Sequence, residues 1–471
     1  MKPKLFIIIS SVFTILFVIA AAFDISPYLR GPAPYFPDWR WEYNFVNTYP
    51  HIWLPILVGS LILLLFYKIE TKKKWFSKHE SFFVFIFALL TFFFQFALLF
   101  ANRAGINGLL SRIINPDVNG YFSTALQINS ISDFLKNYNA NVLSFSMHAQ
   151  GHPPLAILFF YWINEFFKFT PFLNVFVKNV NPSTHLINQI WVNLSPNEML
   201  GTFFSIILIP LLVSLTGILV YFIGKKLYNS KIAIRTQVAL SFIPSVLLFI
   251  PINDAFISIF PLLSFIVFLK GIGTKNKLLF FLSGIVFSVG VYFSISLLPL
   301  VLIHLSYLIS KFNFKKELIL NFGLYFLLGN LILPMILWIF FSFDSIKMFT
   351  VLMQGLPENR HYLTWVFYNL YDFFIFLGIP LTLTFIYLIV NQRKKIDILF
   401  VSFLLMLFIV NFSGSVRGEV ARIWIPYVPF LLLPLVNFIT NNKFSSYQFI
   451  AILILQLLLV LTINEYWVTF W

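Results

Sequence analysis

Residues 103–155 are RAGINGLLSRIINPDVNGYFSTALQINSISDFLKNYNANVLSFSMHAQGHPPL, and they form the longest polar interval of the chain. The rest of the sequence consists mainly of long apolar runs, so chemistry that needs water is expected beside this interval. Asp117, Asp133, His148 and His152 lie within it, and such side chains can transfer protons or bind polar ligands. A chain that only packed helices together would not require so long a polar segment.

The composition identifies the broad class of the protein. Of the 471 residues, 59% are hydrophobic and only 10% are charged, and the mean hydropathy is +0.88. Soluble domains carry about 25% charged residues, so a soluble globular fold is excluded. The 62 Phe suit helices that face lipid or pack against one another in a bilayer. The sequence therefore predicts an all-α polytopic membrane protein.

Charge and cysteine content exclude several function classes. The net charge of +15 comes from basic residues in short loops between apolar runs, where such residues set membrane orientation. A nucleic-acid partner is therefore not indicated. The chain has no Cys, which excludes disulfides, thiol catalysis and metal sites with Cys ligands.

The apolar runs predict about 13 transmembrane helices, with the N-terminus inside and the C-terminus outside. Residues 153–167 are too short for a span and are expected to form a juxtamembrane helix on the outer face. With that helix outside, the basic loops GKKLYNSKIAIR, SKFNFKKE and NQRKK all face the cytoplasm. The expected spans are 5–23, 52–67, 81–101, 199–223, 236–251, 256–270, 278–292, 296–310, 318–341, 371–390, 397–412, 423–440 and 447–463.

Three regions follow from this arrangement. Residues 1–80 form a two-helix extension with an outer loop at 24–51 that is rich in Pro and aromatic residues. Residues 81–340 form a transmembrane module with a large outer loop at 102–198, and residues 341–471 form a C-terminal transmembrane region with outer loops at 342–370 and 413–422. The polar residues of these outer loops are expected to converge on one outward cavity.

Several motifs occur in a recognisable order. NPDVNGYFSTALQI (115–128) follows a span, GHPPLAILFFYWI (151–163) forms a Pro-Pro turn and a short helix, and the next span ends in VYFIGKKLYNSKIAI (220–234). This order resembles the GT-C superfamily of membrane glycosyltransferases, in the branch that uses polyprenyl-phosphate sugars and includes aminoarabinose, galacturonosyl and protein mannosyl transferases. The likeness rests on motifs between about residues 100 and 240 and on hydropathy elsewhere.

The resemblance implies a GT-C-like fold, a polyprenyl-phosphate-linked monosaccharide as donor, and an acidic residue of the first outer loop, here Asp117, at the reacting centre. Tyr121 and His152 match the Tyr-containing helix and the HPP turn of that pattern. Asp117 is followed by Val and Asn rather than by a second acid, so Asp24 or Asp38 of the preceding loop could supply the second carboxylate, or even the base.

The chemistry can also be argued from the residues themselves. A sugar on a lipid phosphate carries its own leaving group, so transfer needs a base near the acceptor hydroxyl, for which Asp117 is the candidate. Arginine binds a departing phosphate well, and in-line attack inverts the anomeric carbon. Neither a metal nor a cofactor is expected, because the donor has no pyrophosphate. The candidate substrate-binding residues are His152, Arg417, Arg422, Arg360, His361, Asp254, Tyr121 and Asp24.

Each candidate also has a structural interpretation. Asp117 could cap a helix that starts near Val118, and His148 and His152 could be structural, since HAQGHPP lacks the glutamate of a zinc motif. Glu419 and Arg422 could form an i, i+3 ion pair, and Asp254 could simply lie at a helix end. Residues 24–41 could anchor the chain at the interface, as could the aromatic C-terminus NEYWVTFW.

The sequence thus predicts a plasma-membrane glycosyltransferase with its active site on the extracytoplasmic face. Its acceptor would be a cell-envelope glycan, lipid or protein, and its other partners would be membrane lipids. A secondary transporter is an alternative, although such proteins usually place charged residues or broken helices at the membrane midplane. A ligase or polymerase that uses polyprenyl-diphosphate oligosaccharides is another, although its large outer loop tends to lie late in the chain.

Overall fold

The computed structural model describes residues 3–34, 38–45, 49, 51–102, 104–177, 180, 182, 184–313, 315–354, 360–391 and 397–469. The helices are α1 (Pro3–Ala22), α2 (Trp53–Thr71), α3 (Lys73–Lys78), α4 (Glu80–Ala101), α5 (Gly105–Ile114), α6 (Tyr121–Ala125), α7 (Ile131–Asn141), α8 (Pro154–Lys168), α9 (His185–Val192), α10 (Pro196–Leu227), α11 (Ser230–Leu240), α12 (Pro244–Leu248), α13 (Asn253–Phe256), α14 (Ile259–Thr274), α15 (Lys277–Val291), α16 (Val301–Lys311), α17 (Lys316–Phe341), α18 (Ser345–Gln354), α19 (Tyr362–Leu377), α20 (Ile379–Asn391), α21 (Ile398–Ser413), α22 (Val420–Ile423), α23 (Val428–Asn441) and α24 (Ser446–Tyr466). Single 3₁₀ turns lie at Pro27–Arg30, Val142–Ser144, Met147–Gly151, Pro171–Phe176, Ile295–Leu300 and Ile425–Tyr427, and the strands are β1 (Glu42–Tyr43) and β2 (Trp467–Val468).

Apolar helices of membrane-spanning length confirm the predicted class, an all-α membrane protein. In the described part of the chain, seven stretches meet the length and hydropathy needed to cross a bilayer: Pro3–Ala22, Trp53–Thr71, Glu80–Ala101, Pro196–Leu227, Asn253–Thr274, Lys316–Phe341 and Ser446–Tyr466. The bent pair α19 and α20 makes an eighth if it crosses as one unit. Shorter apolar helices lie at Lys277–Val291, Ile295–Lys311, Ile398–Ser413 and Ile425–Asn441. The number of about 13 spans and the N-in, C-out orientation stay predictions.

The expected span 236–251 is not a continuous helix. α11 ends at Leu240, and a separate five-residue helix, α12, begins at Pro244. Proline lacks the N–H that a helix interior needs but is well tolerated at a first helical position, which accounts for the break there. Residues 232–248 are all buried, so this apolar run is core material and not a lipid-facing helix.

The expected span 371–390 is also broken. The chain bends by 116° between α19 and α20, at Gly378, whose φ is +103°. A Cβ at this position would lie 1.9 Å from the Gln456 side-chain oxygen, and Gln456 Nε2 donates a hydrogen bond of 2.9 Å to the Leu377 carbonyl. Glycine is therefore required both by the backbone conformation and by the close approach of α24.

The contacts of the chain define two compact units. Unit 1 comprises Met1–Arg103, Val213–Ile250 and Glu358–Thr469, and unit 2 comprises Ala104–Leu212, Pro251–Pro357 and Phe470–Trp471. Residues 81–340 contribute to both units, and the three regions expected from the sequence stay a prediction. The polar interval 103–155 belongs to unit 2 except for its first residue.

A short antiparallel pairing in unit 1 joins the first loop to the C-terminal segment. Glu42 pairs with Val468 and Tyr43 with Trp467, and the Trp467 ring is 2% exposed. Glu465, two residues earlier, is 4% exposed. Both residues therefore belong to the core of unit 1, and the role of NEYWVTFW as an aromatic belt stays a prediction.

Candidate functional site

Asp117 lies in a tight loop that precedes α6 in unit 2. Its backbone N–H donates a hydrogen bond of 3.0 Å to Oδ1 of Asn115. The expectation that Asp117 caps a helix starting near Val118 is wrong, because α6 begins only at Tyr121. The Asp117 side chain is exposed, and no described residue forms a hydrogen bond or ion pair with its carboxylate. This carboxylate is therefore available to a ligand.

Gly120 fixes the Asp117 loop against the segment that precedes the Pro-Pro turn. Its φ is +79°, and a Cβ there would lie 2.4 Å from the carbonyl oxygen of Ser146. The neighbouring Asn119 side chain is 1% exposed and donates a hydrogen bond of 2.8 Å to the Arg112 carbonyl. The two sequence motifs, NPDVNGYF and HAQGHPP, thus pack directly on each other.

His152 is held from two further sides. The buried Tyr121 ring meets the imidazole edge-to-face, with centroids 5.1 Å apart and an interplanar angle of 89°. The Tyr138 hydroxyl of α7 donates a hydrogen bond to the His152 backbone carbonyl, and burial raises the pKa of Tyr138 well above the ordinary tyrosine value. Tyr138 is therefore a neutral structural donor, and α6 and α7 together set the position of the histidine.

His152 and Asp254 form a close pair in unit 2. His152 Nδ1 lies 2.9 Å from the His148 carbonyl, and since a carbonyl only accepts, Nδ1 carries the proton. Nε2 then faces Asp254 Oδ1 at 3.6 Å, with Asp254 2% exposed at the start of α13. Protonation of Nε2 would convert this contact into an ion pair. Within the described ranges, no three His, Asp or Glu side chains group as they would around a metal ion.

A polar cavity of about 320 Å³ lies between α6 and α7 in the same unit. Its rim includes Phe134 and Phe145, whose rings stack with centroids 6.0 Å apart at 17°. No described residue hydrogen-bonds to the side chains of Gln127, Asn129 and Asn141 or to the Asp133 carboxylate. The cavity is lined by Thr124, Gln127, Ile128, Asn129, Ser130, Asp133, Phe134, Asn137, Asn141 and Phe145.

Four of the other predicted residues lie in unit 1, where residues 413–424 run along one face of α19. Asn369 makes two hydrogen bonds to this segment. Its Nδ2 donates to the Val416 carbonyl at 2.8 Å, and its Oδ1 accepts from the Gly418 N–H at 3.1 Å. One turn further on, Asp372 Oδ2 accepts from the Ala421 N–H at 2.9 Å. Positions 369 and 372 are i, i+3 on α19, so both side chains point to the same segment.

Arg360 and Arg417 are brought together by this packing. Arg360 Nη1 donates to the Arg417 carbonyl at 2.5 Å, and Arg417 Nη1 donates to the Arg360 carbonyl at 2.7 Å. Each guanidinium also lies over an aromatic ring, Arg360 over Trp365 at 5.5 Å and Arg417 over Tyr362 at 5.9 Å. These contacts fix the position of both guanidinium groups.

Arg422 and His361 have structural partners in the same region. Arg422 Nη2 lies 2.9 Å from Glu419 Oε2, which confirms the i, i+3 ion pair considered from the sequence. Arg422 is 5% exposed, so this pair is largely withdrawn from solvent. His361 is the N-cap of α19, where Nδ1 accepts from the Thr364 N–H at 3.4 Å. A phosphate-binding role for His361 would have to use Nε2.

Asp24 is engaged by Arg30, which counts against its use as a base. Arg30 Nε donates to Oδ1 at 2.9 Å and Nη2 to Oδ2 at 2.8 Å, so both carboxylate oxygens are occupied. Asp38 Oδ1 accepts from Trp365 Nε1 at 3.1 Å. Of the three carboxylates proposed from the sequence as the base, only Asp117 is without such a partner in the described part of the chain.

The structure therefore forms two groups from the predicted residues. Asp117, Tyr121, His152 and Asp254 lie together in unit 2. Arg360, His361, Arg417 and Arg422 lie together in unit 1, where Asp24 is paired separately with Arg30. Convergence of both groups on one outward cavity stays a prediction.

Two buried polar residues that organise this region were missed in the sequence. Asp372 is 8% exposed and accepts from the Trp41 indole N–H at 2.8 Å as well as from Ala421. Asn369, 1% exposed, joins α19 to residues 416–418. Their i, i+3 spacing in the otherwise apolar helix YLTWVFYNLYDFFIFL was the available signal, since buried polar groups need partners.

Comparison of the chain with known protein families, with functionally curated proteins and with solved structures finds no match.

Proposed function

We propose that this protein is an integral membrane glycosyltransferase. It moves a monosaccharide from a polyprenyl-phosphate donor to a cell-envelope glycan, lipid or protein, on the outer face of the plasma membrane. In this proposal the reaction inverts the anomeric carbon and uses neither a metal nor a cofactor. The proposal is built on unit 2, which holds two of the three motifs that resemble the GT-C superfamily, NPDVNGYFSTALQI and GHPPLAILFFYWI.

One observation carries the proposal: the Asp117 loop is fixed on the HPP segment while its carboxylate is left open. Gly120 closes against Ser146, and the Tyr121 ring packs on His152. Segments separated by more than twenty residues thus fix the loop that carries an unpartnered carboxylate against the segment that carries His152. A rigid arrangement of this kind suits proton removal from a hydroxyl at a fixed position.

In the proposed step, the acceptor hydroxyl loses its proton to the Asp117 carboxylate while its oxygen forms a bond to the anomeric carbon. The bond between that carbon and the lipid-phosphate oxygen breaks, and the electron pair leaves with the phosphate. The departing phosphate needs cationic N–H donors, and Arg360 and Arg417 stay the candidates for this role that the sequence suggests.

The cavity between α6 and α7 is the proposed site for the acceptor sugar. Amide and carboxylate groups can each bond neighbouring hydroxyls of a sugar ring, and Phe134 and Phe145 offer apolar faces to its C–H groups. The lining suits a neutral carbohydrate, because Asp133 is its single ionisable side chain.

The decisive experiment is sugar release from a panel of polyprenyl-phosphate monosaccharides by the purified protein, wild type beside Asp117→Asn. We expect turnover to fall at least about 100-fold in the variant, the range that a general base contributes, with donor binding retained. Glu165→Gln is the matched control, because Glu165 is an acid of the same unit whose ion pair among the described residues is with Lys168 on α8.

A wild-type protein that neither binds nor turns over any of these lipids would overturn the proposal in favour of solute transport. Turnover of polyprenyl-diphosphate oligosaccharides alone would identify a ligase or polymerase.

A further inference from the structure

A second cavity, of about 250 Å³, lies in unit 1 among the ends of α2, α3, α4 and α11. Its walls combine apolar side chains with charged ones: Ile69, Glu70, Lys73, Phe76, Ser77, Glu80, Ser230, Lys231 and Ile234. The proposed transferase chemistry makes no use of these residues. They lie at or near two stretches that the sequence predicts on the cytoplasmic side, the loop between the spans 52–67 and 81–101 and the basic loop GKKLYNSKIAIR.

The two carboxylates of this cavity are neutralised from within the protein. Arg235, which is 0% exposed, donates to Glu70 through Nε at 3.0 Å and Nη2 at 2.6 Å. Glu80 accepts from Lys225 Nζ at 2.7 Å. Each acid therefore forms its ion pair with a cation that lies outside the cavity wall.

The remaining charges are the ammonium groups of Lys73 and Lys231. Neither forms a hydrogen bond or an ion pair with any described residue. Burial and the positive charges of Arg235 and Lys73 lower the pKa of Lys231 below the usual lysine value, although the charge of Glu70 acts in the opposite direction. Because Glu70 and Glu80 are each paired with a cation outside the cavity wall, Lys73 and Lys231 leave an excess of positive charge in the cavity.

We propose that this cavity binds the phosphate group of an anionic membrane lipid. Two lysines supply the charge and the N–H donors that a phosphate needs, since lysine binds phosphate as a point charge. Ile69, Phe76 and Ile234 supply an apolar surface for the carbon atoms that follow the phosphate. A free phosphate ion would use only the lysines, so the apolar walls favour the lipid.

Trp75 provides a local probe for the test, because it lies in α3 beside Phe76 and its ring is 39% exposed. The full-length protein is reconstituted in vesicles of phosphatidylcholine that contain brominated phosphatidylglycerol or, separately, brominated phosphatidylcholine. Bromine quenches nearby tryptophans, and the Trp75→Phe variant isolates the contribution of residue 75. We expect the Trp75 component to be quenched at lower mole fractions of phosphatidylglycerol than of phosphatidylcholine.

The lysine variants identify the site. Lys73→Gln and Lys231→Gln should each weaken the association with phosphatidylglycerol roughly fivefold, whereas Lys226→Gln, an exposed lysine outside the cavity, should leave it unchanged. Equal quenching by the two lipids in the wild type, or an unchanged preference in Lys231→Gln, would overturn the proposal. Complete displacement by excess inorganic phosphate would overturn the assignment to a lipid. The measurement needs no glycosyl transfer, so it is independent of the proposed enzyme activity.

Discussion

Arg360 and Arg417 each donate a hydrogen bond to the backbone carbonyl of the other, at 2.5 and 2.7 Å. Each guanidinium is thereby fixed on the backbone of the other residue, and their like charges repel. The carbonyl acceptors and the rings of Trp365 and Tyr362 offset that repulsion. Such a pair combines positional precision with a concentrated positive charge.

The first prediction concerns this reciprocal contact. Arg360→Lys and Arg417→Lys should each lower the free energy of unfolding by about 1–2 kcal/mol, because a lysine retains the charge but not the fork of donors. The double variant should lose less than the sum, with a coupling of about 1 kcal/mol. Thermal unfolding in detergent measures this, with the exposed Lys316→Arg as control. Strictly additive losses would mean that the two contacts are independent.

Alanine substitutions at Gly120, Gly105 and Gly151 of unit 2 separate the cost of a positive φ from the cost of a steric contact. Gly120→Ala should destabilise most, by about 3 kcal/mol or more, because positive φ and a Cβ contact of 2.4 Å act together. Gly105→Ala has a positive φ in open space and should cost about 1 kcal/mol, whereas Gly151→Ala has neither problem. Thermal unfolding of the three variants should give this order; a Gly120→Ala variant as stable as Gly105→Ala would contradict the packing on Ser146.

Asp372→Asn tests the role of the buried carboxylate of α19. The new amide can accept from only one of the two donors, Trp41 Nε1–H and Ala421 N–H, and its own N–H₂ group must face the other. We expect a loss of about 2–4 kcal/mol in unfolding free energy, against almost no change for the exposed Glu317→Gln. A wild-type melting temperature for Asp372→Asn would mean that the two donors find other acceptors.

The orientation of the chain can be tested by labelling, because the protein has no native cysteine to give background. A cysteine at position 150 or at position 226 should react with an impermeant thiol reagent from opposite sides of the membrane. Both native side chains, Gln150 and Lys226, are exposed, whereas the adjacent Ala149 is 0% exposed and would hide a label. Labelling of both positions from one side would contradict the predicted topology.

The class of the fold could be predicted from the sequence because hydropathy is a local property. The apolar runs gave an all-α membrane protein, and the short helix 154–168 lies almost where its composition placed it. The breaks at 240–244 and at Gly378 were missed, because both lie inside runs that are apolar enough for a span. At Gly378 the deciding contact is with Gln456, a residue far away in the chain.

The candidate site was predictable to a similar extent. The i, i+3 pair of Glu419 and Arg422 follows from helical spacing and is present. The pairing of Asp24 with Arg30 and the dual role of Asp372 could not be predicted, because a lone carboxylate in a loop or helix gives no indication of its partner. The sequence favoured Asp117 as the base but kept Asp24 and Asp38 as alternatives, and only the three-dimensional contacts distinguish an open carboxylate from one that is already engaged.

The hydrogen bond between Trp41 and Asp372 also bears on how the protein is made. The two residues are 331 positions apart, and the ribosome adds about 5–20 residues per second, so Trp41 emerges roughly 15 to 65 s before its acceptor exists. During that interval the aromatic first loop has left the ribosome without the helix that will cover it. A chain truncated before residue 372 lacks this acceptor, so we expect proteases to cut the segment around Trp41 more readily in the truncated chain than in the full chain.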